Sequence, residues 1–166
     1  MTARLLVAGI GNIFLGDDGF GVEVAKRMAA SQLPADVSVV DFGIRSYDLA
    51  YALMNDWELV ILVDALPRGG EPGTLYVMEP ELPASGDMPP VLDGHSMNPL
   101  IVLQMVSALG GRVGRLLVVG CEPATVEPDP EGNMGLSPPV NAAVEEAVKV
   151  VEDLIARERS EAASAA

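Results

Sequence analysis

The sequence is short of cysteine, histidine, aromatics and bases, and each shortage excludes something. A single Cys (Cys121) and a single His (His95) rule out an internal disulfide and any zinc knuckle built from Cys and His. One Trp, three Tyr and three Phe leave the core to Val, Leu, Ile, Ala and Met. Ten bases against 24 acids give a net charge of −14, which argues against nucleic acid or an anionic membrane as partner. No Lys or Arg lies between Arg68 and Arg112 or between Arg115 and Lys149, stretches that hold five and six acids. The apolar run Leu5 to Ile10 is too short for a signal peptide and is soon followed by Asp17 and Asp18. The charge-free segment Gly94 to Gly111 carries His95, Ser96, Asn98 and Gln104, which makes it a poor membrane span. A cytoplasmic protein is expected.

What is present fits one domain. The 166 residues are 49% hydrophobic, enough for a sizeable core, and show neither an internal repeat nor a dividing linker. The expectation is a domain over residues 1–159 and a frayed, disordered tail over 160–166. Pro- and Gly-rich stretches at 67–73, 80–94 and 122–139 read as loops between periodic segments.

Between those loops strands alternate with helices. Short apolar runs predict strands at Leu5–Ala8, Val37–Val40, Leu59–Val63 and Leu116–Val119, with a further alternating strand at Thr74–Met78. Helical spacing predicts helices over Gly19–Ala30, Tyr47–Met54 with Ser46 as N-cap, Leu100–Leu109 after Asn98-Pro99, and Ser137-Pro138 onward to about Arg157. Continuously apolar strands separated by helices imply an α/β fold: a mainly parallel twisted sheet with helices on both faces. In such sheets sites form beyond the C-terminal strand ends. Asp18, Asp41, Asp64 and His95 all fall after strands or at helix starts.

The loop Gly9-Ile10-Gly11-Asn12 after the first strand invites a dinucleotide reading. That fingerprint needs glycine at position 14, where Phe14 stands. Asp17 and Asp18 would also place like charge where a pyrophosphate sits. Gly9 and Gly11 could serve a tight turn alone, and either Asp17 or Asp18 could be a plain helix cap. No nucleotide cofactor is expected.

Asp18, Asp64 and His95 form a different set. Two carboxylates and one imidazole suit a divalent first-row ion such as nickel, zinc or manganese, with positions left open for substrate. His95 lies just before the proposed cap Asn98, where a helix N-terminus favours the neutral, ligating imidazole. Each has a plainer explanation: a loop histidine without a task, an aspartate that only ends a strand. Cys121 follows a strand end and is a candidate nucleophile, with a small buried hydrophobe as the favoured reading. No Gly-x-Ser-x-Gly elbow is present to support a serine hydrolase.

The run from Gly9 to Gly21, GIGNIFLGDDGFG, closely resembles the opening motif of the nickel–iron hydrogenase maturation endopeptidases. The likeness continues through Asp41, Val63-Asp64-Ala65, Pro72-Gly73-Thr74, Asp93-Gly94-His95, Gly120-Cys121-Glu122-Pro123 and Gly135-Leu136-Ser137-Pro138, covering residues 4 to about 155. The resemblance implies an endopeptidase that removes a C-terminal extension from the nickel-loaded precursor of a hydrogenase large subunit. It implies that Asp18, Asp64 and His95 contact nickel brought by that substrate, and that Asp41 takes part in cleavage. Many members carry Asp-Gly-Gly-Thr after the second strand; here the segment is Asp41-Phe42-Gly43-Ile44-Arg45, so the isoform served stays open. A Rossmann-like nucleotide binder and a non-cutting nickel chaperone are the competing readings. A monomer is expected, with nothing in the sequence fixing the oligomeric state.

Overall fold

A computed structural model describes residues 4–80 and 99–165. In chain order the elements are β1 (Leu5–Ile10), a 3-10 turn (Gly16–Gly19), α1 (Phe20–Ala29), β2 (Val37–Gly43), α2 (Ser46–Leu53), β3 (Leu59–Ala65), β4 (Leu75–Met78), α3 (Pro99–Ala108), β5 (Arg115–Cys121) and α4 (Pro138–Ser164). The strands form one sheet in the order β2-β1-β3-β5-β4. β1 pairs in parallel with β2 and β3, and β3 with β5; β4 closes the edge antiparallel to β5. The expected α/β fold is the observed one.

The layers follow from alternation along the buried strands. Leu5, Val7, Leu59, Ile61, Val63 and Val119 meet Phe20, Val24 and Met28 of α1 and Val140, Val144 and Val151 of α4. Leu6, Ala8, Val60, Leu62, Leu116 and Val118 turn the other way, onto Leu49 and Leu53 of α2 and Val102 and Val106 of α3. Apart from Ala8, each such side chain contributes about 1.5–3 kcal/mol on burial. Both faces are therefore covered, and the chain's polar chemistry is pushed to the strand ends. Among the described residues, no helix is long and apolar enough to cross a membrane.

Three local expectations change. β2 and β3 run on to Gly43 and Ala65, so Asp41 and Asp64 sit within the last strand pairs rather than after them. α2 starts at Ser46 itself, with Arg45 in the cap position and no side-chain cap; the turn is tied by Arg45 N–H donating to the Phe42 carbonyl. α4 continues to Ser164, past the expected end near Arg157 and through most of the supposed tail. The cause is chemical: Ser160–Ser164 is rich in good helix formers, and Ala162 packs against the α1/α4 core. Just before it, Arg159 bonds the largely enclosed Asp36 carboxylate at 3.0 Å. The proposed cap Asn98 lies outside the described residues.

Candidate active site

The C-terminal ends of β1, β2, β3 and β5 share one rim, and the loop after β1 lies across it. Two glycines shape that loop. A Cβ on Gly21 would sit 2.0 Å from the Val63 carbonyl oxygen and 2.4 Å from that of Ile10, so α1 presses its first turn directly onto the strands. Gly11, at φ +143°, passes so near the Asp18 backbone that a Cβ would lie 1.8 Å from its carbonyl oxygen. The glycines thus serve close packing of backbone on backbone.

This packing fixes Asp18. The Asn12 N–H donates to Asp18 Oδ2 at 2.8 Å, and Asn12 Oδ1 accepts the Phe14 N–H at 2.9 Å. Asp18 is half-buried. Asp64, in the penultimate position of β3 and paired in register with Gly120, is buried, with 9% of its surface exposed. Its carboxylate accepts one backbone bond, from Ala65 N–H at 2.8 Å. Burial pushes its pKa well above the ordinary carboxylate range; the Asp18 charge pushes it further, and the Ala65 bond opposes both. Among the described residues neither Asp18 nor Asp64 has an ion-pair partner. Two carboxylates close enough to act on each other, one of them desolvated, make a place where a cation would be favoured over a second negative charge.

The other two candidates stand apart. Asp41 pairs in register with Gly9, and its Oδ1 accepts the Gly43 N–H at 2.9 Å. Its carbonyl takes a bond from the Arg45 guanidinium. By alternation it shares the face of Val37 and Val39, towards α1, whereas Asp64 shares that of Val60 and Leu62, towards α3. Asp41 lines a cleft of about 180 Å³ with Phe14, Val22, Lys26 and Ile44, and it is not among the charges acting on Asp64. His95, with Asp93, lies outside the described residues. Among those described, no three His, Cys, Asp or Glu side chains gather around one point.

Sequence reasoning missed two structural acids. Asp17 is fully buried and caps no helix. Its carboxylate accepts N–H bonds from Ala124 (2.8 Å), Thr125 (3.2 Å) and Ser137 (2.7 Å), and the Ser137 hydroxyl at 2.8 Å. Ser137 occupies the N-cap position of α4 but spends its hydroxyl on Asp17 rather than on its own helix. Glu122, also buried, accepts N–H bonds from Arg68 (2.7 Å) and Gly69 (2.9 Å) and the Tyr76 hydroxyl at 3.2 Å. The Arg68 bond first, and the others with it, hold its pKa below the usual range against the effect of burial. A carboxylate joined to loops more than fifty positions away leaves no local signal; only the doubling of acids at Asp17-Asp18 hinted at two separate tasks.

Cys121 is buried, and its Sγ contacts the Glu122 carbonyl at 3.7 Å. Burial, and then the Asp17 charge, push its thiol up to about 11, so the thiolate is scarce at neutral pH. The hydrophobe reading fits and the nucleophile reading does not. Iodoacetamide at pH 7.5 should leave the folded chain unmodified by intact mass, and Cys121→Ala should keep wild-type activity; rapid alkylation with loss of activity would contradict this.

The result is a small α/β domain with two acids acting on each other at the carboxyl rim of a mainly parallel sheet, and a glycine loop filled by its own backbone. The sequence model described as hydrogenase maturation protease matches residues 22–154, and the chain belongs to that family. It is 31% identical to the coenzyme F420 hydrogenase subunit delta of Methanothermobacter thermautotrophicus, over 92% of this chain and 95% of that one. It is 29% identical to the hydrogenase 2 maturation protease of Escherichia coli, over 89% and 88%. The solved hydrogenase maturating endopeptidase HybD of E. coli superposes with a TM-score of 0.73 at 27% identity, covering 93% of each chain. The chain is accordingly a peptidase of the hydrogenase maturation type.

Proposed function

We propose that this peptidase removes a C-terminal extension from the large-subunit precursor of a nickel–iron hydrogenase after nickel has been placed in that precursor. Nickel is then part of the substrate. The observation that carries the reading is Asp64, buried, bonded by the Ala65 N–H and set against the charge of Asp18, in a chain of this family. A divalent ion between them relieves both the desolvation and the like-charge contact. Asp18 and Asp64 supply oxygen ligands, and His95 is assigned the nitrogen ligand by the resemblance described above. Docking in this way holds the scissile peptide beside the rim, and proximity supplies much of the rate. Asp41, in the neighbouring cleft, is assigned the task of positioning the peptide or taking a proton. We assign the reaction to the cytoplasm and to a monomer.

The test uses the purified chain and precursor with and without nickel, read by intact mass. The expected result is a C-terminally shortened precursor in the nickel-loaded sample alone, and none with His95→Ala. An extension that stays attached in the loaded sample would point to a chaperone instead. Removal from nickel-free precursor would overturn the role given to the metal.

A further inference from the structure

The sequence holds only seven aromatics, one Trp, three Tyr and three Phe, and the structure leaves three of them in solvent. Phe14 is 64% exposed, Tyr47 63% and Tyr51 64%. Phe20 and Phe42 are buried, and Trp57 and Tyr76 are partly covered. The segments that carry the three rings meet at the β2–α2 connection. The loop bearing Phe14 is joined to the end of β2 by the Gly11 N–H donating to the Gly43 carbonyl at 3.0 Å. Phe14 and the exposed Ile44 line the same cleft. Tyr47 follows one turn later at the start of α2, and Tyr51, four residues on, lies on the same helical face.

Exposed aromatics carry a solvation cost that a chain with so few has no need to accept for folding, and Tyr and Phe are the residues enriched at the centres of protein interfaces. This surface is also continuous with the site. Asn12 links the two, its N–H on Asp18 and its Oδ1 on the Phe14 N–H, and Asp41 lies in the cleft that Phe14 walls. A net charge of −14 makes an anionic membrane or nucleic acid a poor occupant.

We propose that Phe14, Tyr47 and Tyr51 form the docking surface for the body of the protein substrate. An apolar patch on the precursor seats against the three rings and so delivers its extension to the Asp18–Asp64 end of the rim. This rests on the proposed function. The rings are specificity and affinity determinants; they touch neither the reacting atoms nor the metal.

The triple variant Phe14→Ala, Tyr47→Ala, Tyr51→Ala tests this. Alanine is the best helix former, and the lost side chains are mostly solvated, so the variant keeps its fold. Steady-state cleavage of nickel-loaded precursor should show KM raised about tenfold or more with kcat within about twofold, the pattern of lost uniform binding. Nickel titration of the free chain should be unchanged. Leu109→Ala, exposed at the far end of α3, should leave both constants as in wild type. Sedimentation of wild type and variant runs alongside. If wild type cuts the precursor and the triple variant matches it in kcat/KM, the docking surface is wrong while the function stands. If kcat falls with KM unchanged, or if wild type self-associates and the variant does not, the surface serves another purpose and the inference fails. If wild type leaves loaded precursor intact, both fall together.

Discussion

Asp64→Asn is expected to make the metal-free chain more stable and to abolish cleavage. Asparagine keeps the oxygen that accepts the Ala65 N–H at 2.8 Å and removes the charge. Burial and then Asp18 raise the folded-state pKa of Asp64, so the folded chain holds a proton that the unfolded chain releases. Where the folded state binds more protons, stability falls as pH rises. The wild-type chain is therefore penalised at every pH above the ordinary carboxylate range, and most fully at and above the raised pKa. The variant escapes this penalty at pH 7, and the advantage fades below about pH 4. A gain of about 1 kcal/mol moves the melting temperature of a chain this long by about 2–4 °C. Activity should drop by at least about 100-fold, since even outer partners of a metal site cost 10–100-fold. Thermal melts at pH 7 and pH 4, with and without nickel, check both halves; nickel should stabilise wild type and not the variant. A variant that melts lower at pH 7 and still cuts would remove Asp64 from the site.

Asp17 is expected to behave in the opposite sense. Asp17→Ala releases the N–H groups of Ala124, Thr125 and Ser137, all now bonded to one carboxylate. Ala124 and Thr125 lie at the surface, where water takes up their N–H groups, so the cost falls on the half-buried Ser137 and on the lost carboxylate bonds: a loss of roughly 1–3 kcal/mol and a melting temperature lower by several degrees. Asp17→Asn is no rescue. One carboxylate oxygen faces the Ser137 N–H and the other the Ala124 and Thr125 N–H groups, so the amide NH₂ meets a donor in either orientation. Urea unfolding of both variants measures this. A change under 1 kcal/mol for Asp17→Ala would mean that water replaces the carboxylate without loss.

These neighbouring acids show what can be seen in a sequence and what cannot. The sheet was legible because β1 and β3 are apolar at nearly every position, and because Val140, Val144, Val151 and Ile155 recur at helical spacing. Strand ends were less so: Asp41 and Asp64 look like terminators, yet the partner strand's backbone carries the pairing past them. Local chemistry suggested Ser46 as a cap, but the Arg45 turn displaced it. The grouping of Asp18 with Asp64 followed from placement at strand ends, which fold topology governs. Asp41 shares that rim yet turns to the opposite face, because its register differs from that of Asp64 by one position through Gly9 and Val63. The work of Asp17 and Glu122 was invisible, since their partners come from distant loops.

One consequence of those distant loops reaches beyond stability. Asp17 and Glu122 each accept two or more main-chain amides, whereas among the described residues Asp18 and Asp64 each receive a single one. The backbone thereby sorts a strongly acidic chain into quiet carboxylates and hungry ones. An engineer could silence this protein without altering either hungry acid: a lysine introduced within reach of Asp64 would satisfy it from inside and leave the visiting ion nothing to answer.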